Sequence, residues 1–131
     1  MPIDKLALVR IEEGRLLCAR SRGKSAFFLP GGKREAGESD AAALCREIEE
    51  ELGVRIRPET MRLLRVFEAA AHGQPEGVLV RLTCYAADFD GEPRPAAEIE
   101  ELAWLGTGDR ARMSLVTTLV IEWLVERGLV R

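Results

Sequence analysis

The sequence is poor in the residue types that build zinc sites and covalent cross-links. Its one histidine is His72, and its three cysteines, Cys18, Cys45 and Cys84, contain no CxxC pair. An odd number of cysteines without paired spacing does not fit a disulfide scaffold or a zinc ribbon. We therefore expect reduced thiols that pack as small hydrophobic side chains, and we give His72 no catalytic role because no partner residues accompany it.

Long apolar runs and an excess of one charge are also missing. The most apolar segment, SLVTTLVIEWLV, is interrupted by Glu122 and is too short to cross a bilayer, and the N-terminus lacks the pattern of a signal peptide. A formal net charge of -3 gives no reason to expect binding to a nucleic acid polymer or a membrane. We expect a cytoplasmic protein, a monomer or homodimer, whose residues 1–131 form one domain.

Strand-forming segments occur on both sides of one strongly helical segment. Apolar residues at 6–11 and 15–20, separated by Glu13 and Gly14, predict a hairpin. The run 63–71 and the run GVLVRLTCYAADF, separated by HGQPEG, predict a second hairpin. Further along the chain, EIEELAWL indicates a last strand, and the apolar spacing from Asp109 onward predicts a C-terminal amphipathic helix.

The segment Asp40 to Leu52 has the apolar spacing of a helix, with Ser39 as its N-cap and Gly53 at its C-terminal end. At about 100° per residue, Glu47, Glu50 and Glu51 share an arc of roughly 100°, whereas Glu49 points elsewhere. A Glu-rich helix alone is usually a solvated face. Three carboxylates on one arc also repel each other unless a cation lies among them, and oxygen-only donors favour Mg²⁺ or Mn²⁺ over zinc.

The wider spacing separates these two interpretations. Its pattern is G, five residues, E, seven residues, R, E, apolar, any, E, E, any, G, apolar, and we estimate its chance occurrence at on the order of one in ten million. The matching residues are Gly32, Glu38, Arg46, Glu47, Ile48, Glu50, Glu51, Gly53 and Val54.

This pattern resembles the Nudix box of the Nudix hydrolase family at every constrained position. The resemblance implies an α+β fold, an α/β/α sandwich in which a mixed β-sheet lies between the box helix and a C-terminal helix. It also implies hydrolysis of the pyrophosphate bond in a nucleoside diphosphate linked to a group X or in a nucleoside triphosphate, with Mg²⁺ or Mn²⁺ as cofactor and a nucleoside monophosphate as product.

The resemblance assigns roles residue by residue. Glu47, Glu50 and Glu51 match the metal ligands, and the carbonyl of Gly32 matches a ligand from the loop before the helix. Glu50 and Glu51 are the catalytic glutamates of the box, while Glu38 and Arg46 brace the loop against the helix. Pro30 and the glycine pair Gly31–Gly32 are expected to end any strand before this loop.

The resemblance implies a general base that is either a box glutamate or a glutamate from a loop before the last strand, where Glu98, Glu100 and Glu101 compete. For the base we favour Glu101, three residues before Trp104, with Glu98 second, and a charged strand edge is the alternative for each. For the phosphate contacts we favour Lys33 and Arg20, ahead of Arg22 and Lys24.

The substrate beyond its phosphates is less constrained. The chain has no asparagine and only one glutamine, Gln74. Family members that resemble 8-oxo-dGTP sanitising enzymes recognise the edge of the purine base with an amide side chain near the C-terminal helix, and this chain has no such amide there. Asp109 or Thr117 could take its place. ADP-ribose pyrophosphatases resemble this chain less, because Pro75 follows the box at the wrong distance. Some Nudix-like domains bind nucleotide metabolites as non-catalytic regulators, but those tend to lose box glutamates that this chain keeps.

Overall fold

The computed structural model describes residues 1–131 as nine strands, two α-helices and two short 3₁₀ helices, Pro58–Thr60 and Thr107–Arg112. The strands are β1 (Ile3–Leu8), β2 (Ile11–Glu12), β3 (Arg15–Ser21), β4 (Gly31–Lys33), β5 (Arg55–Ile56), β6 (Arg62–Ala70), β7 (Leu79–Ala86), β8 (Phe89–Asp90) and β9 (Ile99–Leu105). The helices are α1 (Asp40–Leu52) and α2 (Leu115–Glu126). Neither helix has the length and apolar character needed to cross a bilayer.

A four-stranded mixed sheet, in the order β4-β1-β7-β6, forms the centre of the fold. Strand β1 runs antiparallel to β4 and parallel to β7, and β7 pairs with β6 as the predicted second hairpin. Strands β2, β3 and β9 form a second sheet, and β5 pairs with β8.

The two faces of the central sheet pack against different helices. Along β1, Leu6 and Leu8 join the apolar cluster that contains α1, whereas Ala7 and Val9 join the cluster that contains α2. This alternation is what a strand buried on both faces requires, because successive side chains point to opposite faces. The predicted fold is confirmed, since a mixed sheet lies between the box helix and the C-terminal helix.

The predicted ends of α1 match the structure, whereas α2 begins later than its apolar pattern indicates. Ser39 caps α1 by accepting a hydrogen bond from the Ala42 amide at 3.1 Å, and Gly53 ends it in the left-handed conformation at φ 68°. Before α2, residues 107–112 form a 3₁₀ turn, and the chain is extended at Met113. Helix α2 therefore starts only after Ser114, whose side chain caps it.

Two other expectations differ from the structure. The run 6–11 does not form one strand of a hairpin, because the Val9 amide still donates to the Tyr85 carbonyl at 2.8 Å in the central sheet. Only β2 then pairs with β3 across the turn. The glycine pair also does not end a strand: Gly31–Lys33 forms β4, hydrogen-bonded along β1.

The cysteines pack as the sequence indicates. All three are free, and Cys18 and Cys84 are fully buried in the α2-side cluster. Burial raises the pKa of both thiols to about 12, so they stay protonated at neutral pH.

Candidate active site

Helix α1 holds two of its glutamates against the short strand β4. The apolar side chains of Leu44, Ile48 and Leu52 are completely buried under the central sheet, which fixes the rotation of the helix about its axis. With that rotation, Glu47 and Glu51 lie beside the glycine pair Gly31–Gly32. The position of both carboxylates thus follows from the packing of the apolar face.

Glu51 is a buried carboxyl group with only 4% of its surface exposed. Its Oε1 atom accepts a hydrogen bond from the Gly31 amide at 3.0 Å. Burial raises the pKa of Glu51 to about 8; the Gly31 amide opposes this rise, and the nearby carboxylates of Glu98 and Glu47 add to it. At neutral pH this group therefore favours a proton or a bound cation.

Glu47 packs directly on the backbone of Gly32. A Cβ atom on Gly32 would lie 2.6 and 2.7 Å from the two carboxylate oxygens of Glu47, so a larger residue at this position would push the Glu47 carboxylate away from where it lies. Glu47 also accepts a hydrogen bond from Arg46 Nη1 at 2.9 Å. The backbone of the glycine pair thus contacts both carboxylates.

Arg46 joins the loop after β4 to helix α1. Its Nε and Nη2 atoms each donate to the Glu38 carboxylate at 2.8 Å, and Nη2 also donates to the Lys33 carbonyl at 3.2 Å. Glu38 further accepts from the Glu35 amide at 2.8 Å. The bonds from Arg46 and then from Glu35 lower the pKa of Glu38 to about 2, so this carboxylate is charged throughout the physiological range.

Arg46→Lys is expected to lower turnover, or the affinity for Mg²⁺, roughly ten- to a hundredfold. Lysine keeps the charge but cannot bond both oxygens of Glu38 and reach the Lys33 carbonyl at the same time. Turnover measured over a Mg²⁺ titration checks this, with Arg55→Lys as the control because Arg55 is exposed on β5. Equal activity of the two variants would contradict a bracing role for Arg46.

A cavity of about 580 Å³ opens beside these carboxylates, within the size range of sites for small ligands. One part of its wall is charged and another is apolar. The charged side chains are Glu47, Glu51, Glu98, Lys5, Lys24 and Lys33, and the apolar part includes Phe28, Leu29, Val80, Leu82 and Val116.

Glu50 lies apart from this cavity. Its side chain is exposed, and it borders a shallow surface depression together with Cys45, Arg46 and Glu49. No three His, Cys, Asp or Glu side chains are arranged to hold one metal ion. Of the three glutamates expected to converge, the structure brings Glu47 and Glu51 together and leaves Glu50 at the surface.

The chemistry of this wall nevertheless fits a hard divalent cation. Its donors are carboxylate oxygens and the backbone of the glycine pair, which suit Mg²⁺ or Mn²⁺ better than zinc. The buried Glu51 carboxyl also lacks a cationic partner among the salt bridges of the chain.

The candidate bases fall in different places. Glu98 lines the cavity beside Glu51, whereas Glu101 accepts hydrogen bonds from Arg20 Nε and Nη2 at 3.2 and 3.1 Å outside it. Arg20 also pairs with Glu100 at 2.9 Å and donates to the Lys24 carbonyl at 2.8 Å. Arg20 and Glu101 thus neutralise each other across the paired strands β3 and β9, and neither lines the cavity.

The sequence pattern identifies some of the residues that line the cavity but not all of them. Lys33 and Thr117 line the wall as residues already singled out, but Asp109 instead accepts a hydrogen bond from the Gly106 amide at 2.9 Å. The sequence does not identify Lys5 as a cavity residue, because its position in the wall depends on the pairing of β1 with the distant strand β4. His72 and Gln74, the only histidine and the only glutamine of the chain, also line the cavity, although the sequence gives His72 no catalytic role.

Comparison with known proteins points to one family. The family model described as the NUDIX domain matches residues 4–115. A MutT-like protein from Streptomyces ambofaciens is 31% identical over 94 residues, which cover 72% of this chain and 56% of that relative. The chain therefore spans little more than half the length of that relative.

Solved structures share the fold. A MutT NUDIX hydrolase from Burkholderia pseudomallei is 28% identical, with a TM-score of 0.73 over 93% of this chain and 97% of the other. The ORF135 protein of E. coli is 24% identical, with a TM-score of 0.74 over 95% of this chain and 90% of the other, and this likeness concerns the fold alone. Since the family model covers most of the chain and the complete box lies on the expected helix, this protein belongs to the Nudix hydrolase family.

Proposed function

We propose that the protein hydrolyses the pyrophosphate bond of a nucleoside diphosphate linked to a group X or of a nucleoside triphosphate, using Mg²⁺ or Mn²⁺, and releases a nucleoside monophosphate. The observation that carries this proposal is one cavity wall that combines the buried Glu51 carboxyl, Glu47, Glu98 and lysine side chains. Carboxylates repel a polyphosphate, so their place in a lysine-bearing cavity makes sense only with a cation between them and the substrate.

The box residues would hold the ion. Glu47 and Glu51 would supply carboxylate oxygens, and the Gly32 carbonyl would supply a backbone oxygen. Glu50, which the box pattern adds as a third ligand, would have to turn from the surface toward the ion. When bound, a divalent ion polarises the phosphoryl group and lowers the pKa of an attacking water. The side chain of Arg46 keeps Glu47 and the loop in place through its bonds to Glu38 and Lys33.

Glu98 is the better-placed base of the two candidates. It lines the cavity, and its carboxylate lies close enough to Glu51 to raise the pKa of that group. In the proposed step the water oxygen bonds to phosphorus and its proton passes to Glu98. The bridging P–O bond breaks, and its electron pair leaves with the second phosphate, which gives a nucleoside monophosphate and a phosphorylated fragment.

Turnover over a substrate panel tests this function. The panel contains nucleoside triphosphates, an oxidised purine triphosphate, ADP-ribose and nucleotide sugars, each with and without Mg²⁺. Phosphate released only after addition of inorganic pyrophosphatase identifies a triphosphate substrate, whereas release only after addition of a phosphatase identifies a diphosphate conjugate. Binding of one compound without any turnover would show a regulator and contradict the proposal.

Glu98→Gln is expected to lower turnover about 10²- to 10⁴-fold, the usual contribution of a general base. Glu101→Gln is the matched control, and we expect it to stay within a few fold of the native rate because Glu101 pairs with Arg20 outside the cavity. The pH profile of turnover measures both. A large loss in Glu101→Gln with little loss in Glu98→Gln would transfer the role to Glu101.

A further inference from the structure

The two kinds of basic residue are completely separated in this protein. Among its 19 lysines and arginines only three are lysines, namely Lys5, Lys24 and Lys33. All three line the cavity, and no arginine does.

The three lysines are also free of carboxylate partners. Every salt bridge in the structure that involves a basic side chain uses an arginine, among them Arg20 and Arg46 at the borders of the site. The cavity wall contains three glutamates, yet no lysine lies within salt-bridge distance of them. Three ammonium groups thus remain available to a ligand.

Lys5 and Lys33 are placed directly opposite each other in the antiparallel pair β1–β4. Cross-strand partners have Cβ atoms about 5 Å apart, and like charges in that arrangement destabilise the sheet. An anion between the two ammonium groups would remove this repulsion. The pair is therefore arranged as the two sides of an anion site.

Lysine has a specific advantage beside acidic side chains. The guanidinium fork of arginine matches a carboxylate with two hydrogen bonds, as Arg46 does with Glu38 at 2.8 Å. An arginine in the cavity would pair with Glu47, Glu51 or Glu98 in that way. A lysine ammonium is a compact, hydrated charge on a flexible stem, so it can follow a phosphate chain instead.

We propose that Lys5, Lys24 and Lys33 together bind the phosphate chain of a nucleoside triphosphate and select it over a diphosphate conjugate. The proposal rests on the proposed function and narrows its substrate class. A diphosphate conjugate carries two negative charges on its phosphates. Three unpaired ammonium groups and a metal ion at the carboxylates together carry more positive charge than is needed to neutralise those two. A triphosphate carries the additional terminal phosphate that can occupy them.

Arg20 would position one of the three. Its Nη1 atom donates to the Lys24 carbonyl at 2.8 Å, while Glu100 and Glu101 hold its other end. The turn that carries Lys24 is thus fixed to β9 through an arginine that does not itself enter the cavity.

Isothermal titration calorimetry with inorganic tripolyphosphate and with pyrophosphate, both in Mg²⁺, tests the proposal without turnover. Each of Lys5→Met, Lys24→Met and Lys33→Met is expected to weaken tripolyphosphate binding about tenfold or more, and the triple variant to lose much more tripolyphosphate than pyrophosphate affinity. Arg62→Met is the control, because Arg62 is exposed on β6 and its replacement removes one positive charge, as each single lysine variant does. Native affinity in the lysine variants, or equal loss for both probes, would overturn the proposal.

Acetylation of the native protein gives the same answer without variants. The amines available are the three lysines and the N-terminus, since Met1 is fully exposed. Tripolyphosphate should protect the three lysine-bearing peptides from acetylation and leave the N-terminal amine unprotected, as read by mass spectrometry. Equal labelling with and without tripolyphosphate would reject the site.

The experiments on tripolyphosphate binding and on nucleotide turnover can contradict the lysine site and the enzymatic function separately. Lysine-dependent tripolyphosphate binding in a protein that turns over no substrate would retain the lysine site and reject the enzymatic function. Turnover of a nucleotide with tripolyphosphate binding unchanged in the lysine variants would retain the enzyme and reject the site.

Discussion

Glu51→Gln is expected to reduce Mg²⁺-dependent turnover by several orders of magnitude while the protein melts at nearly the native temperature. Glutamine removes the negative charge that a metal ligand needs, so activity is lost with every substrate. The fold should tolerate the change, because the amide oxygen can still accept from Gly31 at the position where Glu51 Oε1 does so at 3.0 Å. With a pKa raised to about 8, the native carboxyl already favours its neutral form at pH 7.

The measurements are kcat at saturating Mg²⁺ and the midpoint of thermal unfolding. Glu49→Gln provides the matched control on the same helix, because Glu49 is exposed and its nearest cation is Arg55 at 3.8 Å. We expect that control to keep both native activity and native stability. Near-native turnover of Glu51→Gln would refute its assignment as a metal ligand.

Gly31→Ala is expected to destabilise the fold by about 3 kcal/mol, the combined cost of backbone strain and overpacking. Gly31 has φ 151°, a conformation that side chains rarely adopt. An added Cβ would collide with the Leu6 carbonyl oxygen and lie 2.9 Å from the Ala7 Cα atom. These are backbone atoms of the central strand β1, so they cannot move aside without disturbing the sheet.

Thermal unfolding followed by circular dichroism tests this, with an expected decrease in Tm of roughly 10 °C. Gly108→Ala is the control, since nothing lies within 4 Å of its added Cβ and its backbone is not left-handed. We expect the control to change Tm by no more than a few degrees. Equal stability of the two variants would mean that β4 can move away from β1 without cost.

The parts of the fold that the sequence predicts well are those with local signals. Ser39 and Gly53 mark both ends of α1 because a capping side chain and a left-handed glycine act within one turn of the helix. The β6–β7 hairpin is similarly local, since its two strands are joined by one short turn. These elements are correct in the prediction because their determining contacts lie close together in the chain.

The elements that were predicted wrongly depend on distant contacts. The apolar pattern predicts residues 6–11 as the first strand of a hairpin with residues 15–20. Instead, the Val9 amide bonds to Tyr85, 76 positions away, and β1 therefore stays in the central sheet. Similarly, Met113 is kept extended by a bridge to Phe27, which delays the start of α2. Local apolar spacing contains no information about either partner.

The site shows the same division. Helix geometry correctly gives Glu47 and Glu51 one direction, but it does not say which glutamate meets β4, and Glu50 is left at the surface. Position in the sequence, three residues before Trp104, favours Glu101 over Glu98 as the base. In the structure Glu98 lines the cavity, whereas Glu101 lies outside it and pairs with Arg20 from another strand.

The register of strand β1 determines both the packing of the core and the position of Lys5 in the site. Its side chains alternate between the two apolar clusters, and its residue Lys5 faces Lys33 only in the observed register. A slip by one residue would send Leu6 and Leu8 to the wrong cluster and would also turn Lys5 away from its partner. One slip would therefore disrupt both apolar clusters and separate the two lysines, so the packing that stabilises the fold also enforces the register of the site.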